Sequence, residues 1–161
     1  MNKRINLSLL ELLFALWWGG FTFYAAVVVP QGMAILGDHV QMGLITQSVT
    51  IYLNRIGSIA LITSFVILIV NKRIERNYLQ TIGWEWLLLV IFQVILFNLH
   101  SKLSSMILIE LPEINLQEGF YNIHRIYLLI SSVIWILIPF HHHRVKNELA
   151  RIKQNKTNPD L

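Results

Sequence analysis

The chain has 161 residues, of which 55% are hydrophobic and 14% charged, and its formal net charge is +4. Soluble domains are about 25% charged, so this composition excludes an ordinary water-soluble globular protein. The absence of cysteine excludes disulfides, thiolate metal sites and cysteine nucleophiles. The basic residues flank apolar runs and form no patch interleaved with aromatic residues, so no nucleic-acid partner is indicated.

The first apolar run covers residues 7–29 and follows a short basic head. A basic head before an apolar run is also typical of a signal peptide, and Tyr24-Ala25-Ala26 offers a small-residue cleavage site. Signal-peptide cores are about 7–15 residues long, so the length of this run favours a membrane span that is retained.

The second run, residues 47–70, carries Asn54 and Arg55 near one end. An arginine at the centre of a membrane helix costs about 2.5–3.5 kcal/mol on insertion scales, so Arg55 requires a partner or a route to the interface. Before this run, Pro30 is expected to end the first span, and Asp38 is expected to cap the helix that leads into the second.

Two further runs, residues 82–99 and 119–139, complete a set of four spans. The fourth run contains His124 and Arg125, and a basic tail at 141–161 follows it. This hydrophilic tail is expected to fray.

The distribution of lysine and arginine predicts the orientation of the chain. The head carries two, the link between the second and third runs three and the tail five, whereas the other two connections carry none and one. Because positive residues are retained on the cytoplasmic side, both termini are expected in the cytoplasm. The sequence therefore predicts an all-α, four-transmembrane-helix bundle at 1–140 and a cytoplasmic tail at 141–161, in the plasma or inner membrane.

This topology brings several polar residues to one level, in the outer half of the bundle. Helical spacing predicts inward faces at Gln47, Thr50, Asn54, Gly57, Ser58 and Leu61 in the second span and at Tyr121, His124, Arg125, Leu128, Ser131, Ser132 and Trp135 in the fourth. The predicted ligand-binding residues are Arg55, Arg125, His124, Asn54 and Tyr121. The arginines suit an anionic group such as a carboxylate, a phosphate or a lipid head group. Alternatively, each arginine pairs with an acidic loop residue or extends to the interface.

Small and polar residues also predict how the helices pack. Ala15, Gly19, Thr22 and Ala26 form a small-residue stripe on the first span, which is typical of closely packed membrane helices. On the third span Gln93 and His100 are seven residues apart and are expected to share a face.

The histidines suggest metal or haem sites. His100 and His124 are candidate axial haem ligands, and with His39 they would form a copper or zinc site. The alternative is that these are separate hydrogen-bonding side chains, because no pair has a ligand spacing such as His-x₃-His. The triplet His141–His143 fits either a cytoplasmic metal site or a basic membrane exit.

Two glutamates, Glu11 and Glu85, lie at the cytoplasmic ends of their spans. They could relay protons, or they could pair with basic residues of the head and with Arg76. No Gly-x-Ser-x-Gly motif is present, and no catalytic residue is assigned.

Short motifs in the first and last spans carry a family resemblance. Leu16-Trp17-Trp18-Gly19-Gly20 through Val29-Pro30, together with Phe120-Tyr121-Asn122-Ile123-His124-Arg125, resemble a family of uncharacterised small four-span integral membrane proteins. That family is similar, more distantly, to the copper-resistance protein D family, whose first span has a Trp-x-Gly-Gly-type motif and ends at a proline. The resemblance implies a four-helix membrane bundle and permits a link to copper.

The sequence therefore predicts a non-enzymatic membrane protein that binds or passes a small ligand or ion. A haem- or copper-linked redox or metal-handling protein is the first alternative. The second is a structural subunit of a homo- or hetero-oligomeric membrane complex, in which the polar residues hold helices together.

Overall fold

The structure is a computed structural model that describes residues 3–70, 76–110 and 118–157, and every element in these ranges is helical. The elements are α1 (Lys3–Phe23), a π-helical turn (Tyr24–Val28), α2 (Val29–Leu36), α3 (His39–Val70), α4 (Arg76–Glu110) and α5 (Glu118–Thr157). The stretches long and apolar enough to cross a membrane are Ser8–Leu36, Gln41–Val70, Ile82–Met106 and Gly119–Arg151. The predicted all-α bundle of four membrane helices is confirmed.

The helices form a four-membered ring. Helix α1 packs against α3 and α5, and α4 packs against the same two helices, so α3 and α5 lie diagonally across the bundle. An ion pair between Glu11 of α1 and Lys146 of α5 places the start of the chain beside its last helix. The first and last helices therefore begin and finish at the same end of the bundle, which we call the termini end.

The first span continues through Pro30, so the prediction that this proline ends the helix is wrong. The π-helical turn at Tyr24–Val28 comes directly before α2, and Pro30 lies in the first turn of α2. A proline lacks an N–H and collides with the carbonyl four residues earlier, and the wider π-helical turn accommodates both effects. The helix ends instead before Gly37, whose φ of 60° is a left-handed conformation that favours glycine.

Helices α3 and α5 extend beyond the predicted spans. Helix α3 begins immediately after Asp38, whose carbonyl oxygen accepts the Met42 N–H at 3.2 Å, so the predicted cap position is confirmed. Helix α5 continues without a break to Thr157, so the described part of the tail is helical and does not fray. Its first turns beyond the predicted span are fixed by contacts to α1 and α4, described below.

The buried faces agree with the sequence on α3 and α4 but not on α5. On α3, Thr50, Asn54 and Leu61 are buried as predicted. On α5 the predicted face is correct at Ser131, which is buried, but wrong at Tyr121, Arg125 and Leu128, which are all exposed. The buried face of α5 is rotated by about one residue, and it consists of Tyr127, Ser131, Ile134, Ile138, His141, Val145 and Glu148.

The close approach of α1 and α3 does not use the predicted small-residue stripe. Ala15 and Ala26 are exposed, and a Cβ added to Gly19 would meet no atom within 4 Å. Instead Trp17 packs directly on Gly57 of α3, where an added Cβ would lie 2.3 Å from Trp17 Cε2. A bulky residue on α1 thus fits against the glycine of its neighbour.

The buried side chains form two separate apolar clusters. The larger cluster extends through all four spans and includes Phe14, Trp17 and Leu89. The smaller cluster lies between the later part of the first span and the early part of α3, and its buried residues are Tyr24, Met42 and Leu53.

Candidate functional site

Polar side chains from three helices meet at the middle of the bundle. Asn54, which is buried, donates from Nδ2 to the Tyr127 hydroxyl at 3.2 Å. Its backbone carbonyl oxygen accepts a hydrogen bond from Gln93 Nε2 at 2.8 Å. Farther from the termini end, His100 Nε2 lies 2.9 Å from the Gln47 carbonyl oxygen, so Gln93 and His100 share a face, as predicted. These groups hydrogen-bond to one another, although Gln93 Oε1 is buried without a partner among the described residues.

A small cavity lies beside this polar layer. It is lined in part by Asn54, Ser131 and Trp17, and its volume is about 10 Å³. That is near the smallest volume that holds one water molecule, and Ser131 Oγ, which has no hydrogen-bond partner in the described structure, is positioned to bind such a water. The cavity is too small for a ligand of several atoms.

The central hydrogen bonds should contribute measurably to stability. We expect Asn54→Ala to lower the free energy of unfolding by about 1–2 kcal/mol, because it removes the hydrogen bond that Asn54 donates to the buried Tyr127 hydroxyl. The measurement is an SDS titration of the purified protein followed by circular dichroism. The control is Asn98→Ala, since Asn98 is exposed and donates only to the Val94 carbonyl of its own helix. If both variants lowered the free energy of unfolding equally, the central hydrogen bonds would contribute no more to stability than an exposed one.

A second polar cluster surrounds His141, near the termini end. The His141 side chain is 1% exposed, and its Nε2 lies 3.1 Å from the Ser64 hydroxyl of α3. Its other ring nitrogen, Nδ1, lies 3.8 Å from Glu85 Oε2 of α4. The ring of Phe14 from α1 meets the imidazole edge-on at 6.0 Å. All four spans therefore contribute to the surroundings of one buried histidine.

Two atoms of this cluster have no hydrogen-bond partner among the residues that the structure describes. His141 Nδ1 and Glu85 Oε2 are both buried and unsatisfied, and their separation of 3.8 Å is too long for a direct hydrogen bond. The other carboxylate oxygen of Glu85 pairs with Arg144 at 2.6 Å. Glu85 is 25% exposed and Arg144 49% exposed, so the cluster leads from the buried Ser64 hydroxyl to the edge of the bundle.

Two further ion pairs lie at this end, one between α1 and α5 and one within α5. Glu11 pairs with Lys146 at 2.9 Å, and Glu148, which is buried, pairs with Arg151 at 3.2 Å. The sequence pointed to pairing of Glu11 and Glu85 with the head and with Arg76, and these basic side chains lie outside the described set. The described partners come from α5, because the helix continues where a frayed tail was expected.

The order Ser64, His141, Glu85 matches the order of groups in a serine-hydrolase triad, but the surroundings do not support nucleophilic catalysis. Ser64 is 0% exposed and lies inside α3. The nearby backbone N–H groups are used within the helix, so none is free to stabilise an oxyanion. We therefore interpret Ser64 as a hydrogen-bond partner that orients the imidazole.

The structure does not bring the five predicted ligand-binding residues together. Asn54 is buried, whereas Arg55, Arg125 and Tyr121 are exposed, and His124 is half-buried and stacks on the Phe120 ring at 6.0 Å. The two arginines are on the outer surfaces of α3 and α5, so they do not converge inside the bundle. Successive residues of a helix are about 100° apart, which is why Arg55 points away from the face that holds Asn54. Ligand binding by these residues stays a prediction.

The metal-binding side chains that the structure describes do not form a copper site. His100 Nε2 is engaged with the Gln47 carbonyl oxygen, and the side chain of His39 lies outside the described set. Within the described residues, no three His, Cys, Asp or Glu side chains are grouped to hold a metal ion. The triplet is also divided, because His143 bonds to Asn147 at 2.8 Å while His141 points inward. Haem ligation by His100 and His124 stays a prediction.

Sequence reasoning missed the His141 cluster, although a signal for it was present. The triplet was read as a membrane exit because it follows Pro139 and begins a basic segment. Continuing the helical period from Tyr127 through Ser131, Ile134 and Ile138 leads directly to His141, which would have placed this histidine on the buried face.

Comparison of the chain with models of known protein families, with curated proteins and with solved structures finds no match. The resemblance to the copper-resistance protein D family stays a prediction from short motifs.

Proposed function

We propose that this multi-pass membrane protein binds a small ion, namely a proton, at the pair formed by His141 and Glu85. The observation that supports this proposal is a pair of buried atoms, His141 Nδ1 and Glu85 Oε2, which lie 3.8 Å apart and have no hydrogen-bond partner in the described part of the chain. A proton held on either atom gives the other a hydrogen-bond partner once the side chains close by about 1 Å. This site lies at the termini end, whereas the sequence predicted a ligand or ion site in the outer half of the bundle.

The proposed site binds and releases its proton at one end only. On α5 the central polar layer at Ser131 and the cluster at His141 are ten residues apart, which is about 15 Å along the helix. The buried residues between them, Ile134 and Ile138, are apolar, and Trp17 and Leu89 of the neighbouring helices also belong to this core. Protons therefore exchange at the partly exposed carboxylate of Glu85, and the apolar layer separates the site from the opposite face of the bundle.

We also propose that the termini end faces the cytoplasm of a plasma or inner membrane. The support is the distribution of basic residues, since the described part of α5 alone places Arg144, Lys146 and Arg151 at this end. With this orientation the His141 site takes its proton from the cytoplasmic side.

The proposal can be tested by infrared difference spectroscopy of the protein in phosphatidylcholine vesicles during a pH jump. We expect a carboxyl band from Glu85 and imidazole bands from His141 to change together, because the two groups share one proton. Glu85→Gln and His141→Gln should each remove both signals.

The matched control is Glu11→Gln, because Glu11 lies at the same end but pairs with the exposed Lys146. This variant should keep both bands. The proposal is wrong if the imidazole bands in Glu85→Gln are the same as in the unmodified protein.

A further inference from the structure

Arg55 lies at the middle of its membrane span and points outward. The span Gln41–Val70 has 30 residues, and Arg55 is the fifteenth of them. Its side chain is exposed on the surface of the bundle. The distance along the helix is about 21 Å to Gln41 and about 22 Å to Val70, so Arg55 lies near the centre of this apolar stretch.

The described neighbours of Arg55 provide no hydrogen-bond acceptor for the N–H groups of its guanidinium. The structure places this group over the Tyr52 ring, 5.6 Å from the centroid. A ring face attracts the charge but accepts no conventional hydrogen bond, so it leaves the N–H donors of the guanidinium unpaired. Within the described ranges, no carboxylate or carbonyl oxygen bonds to Arg55, and lipid hydrocarbon offers no acceptor.

Arg55 is the centre of a continuous exposed stripe on α3, which we call the Arg55 face. Its members are Ser48, Tyr52, Arg55, Ile59 and Ile62, all exposed and spaced three or four residues apart. This spacing lines up side chains along one side of a helix. Helix α3 packs on α1 and α4 with its other sides, so the face is open to a further helix.

We infer that the Arg55 face binds a transmembrane helix of a different membrane protein, one that carries an aspartate or glutamate at the same depth. A carboxylate accepts two parallel hydrogen bonds from a guanidinium, which satisfies both charges inside the bilayer. The apolar residues Ile59 and Ile62 would pack against the same helix.

A second copy of this chain cannot supply the carboxylate. Of the nine acidic residues in the sequence, those within the four candidate spans are Glu11, Glu85 and Glu148. All three lie at the termini end, and each is paired with a basic residue of α5. The carboxylate that pairs with Arg55 in this proposal therefore belongs to another protein.

The test uses a synthetic transmembrane peptide of leucine and alanine with one central glutamate, and a matched peptide with glutamine. Each labelled peptide is mixed with the labelled protein in phosphatidylcholine vesicles, and association is measured by energy transfer. We expect the glutamate peptide to associate at least about fivefold more strongly. Arg55→Leu should abolish this preference, whereas Arg125→Leu, which removes an exposed arginine of the fourth span, should preserve it.

The vesicle composition separates a protein partner from a lipid one. Equal association of the two peptides with the unmodified protein would overturn the inference. It would also be overturned if Arg55→Leu left the preference intact. If phosphatidylglycerol in the vesicles eliminates the preference for glutamate through Arg55, then a lipid phosphate is the occupant and the inference is wrong.

Discussion

Gly57→Ala is expected to lower the free energy of unfolding by about 1–3 kcal/mol, although alanine is the better helix former. The added Cβ would lie 2.3 Å from Trp17 Cε2 and 2.6 Å from Cζ2, well inside van der Waals contact. Trp17 is 3% exposed, so its indole cannot move aside without displacing the core. The check is an SDS titration followed by circular dichroism.

The matched control is Gly43→Ala on the same helix. A Cβ at Gly43 meets no atom within 4 Å, so this variant should be neutral or slightly stabilising. Combining Gly57→Ala with Trp17→Phe should recover part of the lost stability, because the smaller ring leaves room for the methyl group. If Gly43→Ala were as destabilising as Gly57→Ala, the close packing of Trp17 on Gly57 would not be the cause.

Glu85→Lys is expected to destabilise the bundle by about 2–3 kcal/mol, because it places a third basic group beside Arg144 and His141. The effect should be smaller than for a fully buried pair, since Glu85 is 25% exposed and water screens part of the repulsion. The same SDS titration at neutral pH and low salt gives the measurement.

Glu11→Lys provides the comparison at the same end of the bundle. Glu11 and Lys146 are 38% and 53% exposed, so reversing this charge should change stability by less than about 1 kcal/mol. The double variant Glu85→Arg with Arg144→Glu restores an ion pair in the opposite sense and should regain part of the stability. If the double variant regained no stability and Glu11→Lys were as destabilising as Glu85→Lys, the ion pair of Glu85 with Arg144 would not be the cause.

The sequence was sufficient to predict the four spans and one of the buried faces. Apolar runs of the right length are a direct consequence of the thickness of the bilayer, so the number of helices follows from composition. The inward face of α3 was also predictable, because Thr50, Asn54 and Gly57 repeat with helical spacing and small or polar groups favour helix contacts.

The rotation of α5 could not be predicted in the same way. The lipid-facing side of a membrane helix is as apolar as its packed side, so hydrophobic periodicity does not identify the inward face. The polar residues Tyr121 and Arg125 suggested one face, whereas packing placed Tyr127 and His141 inside. The candidate site depends on this rotation of α5, because the rotation places His141 between Ser64 and Glu85.

The π-helical turn in the first span also could not be predicted from the sequence. A proline normally ends a helix, and nothing in the residues Tyr24–Val28 marks them as a wider turn. As a result the first span was predicted to be shorter than the Ser8–Leu36 stretch observed.

The division of the interior into two apolar clusters has a consequence for cooperativity. The cluster around Tyr24, Met42 and Leu53 shares no buried residue with the cluster that contains Phe14 and Trp17. Regions with separate sets of contacts open as independent units. If the membrane becomes thinner on the side opposite the termini end, or if the end of the first span loosens, the smaller cluster can therefore rearrange by itself. The contacts around the buried His141 imidazole then keep their geometry.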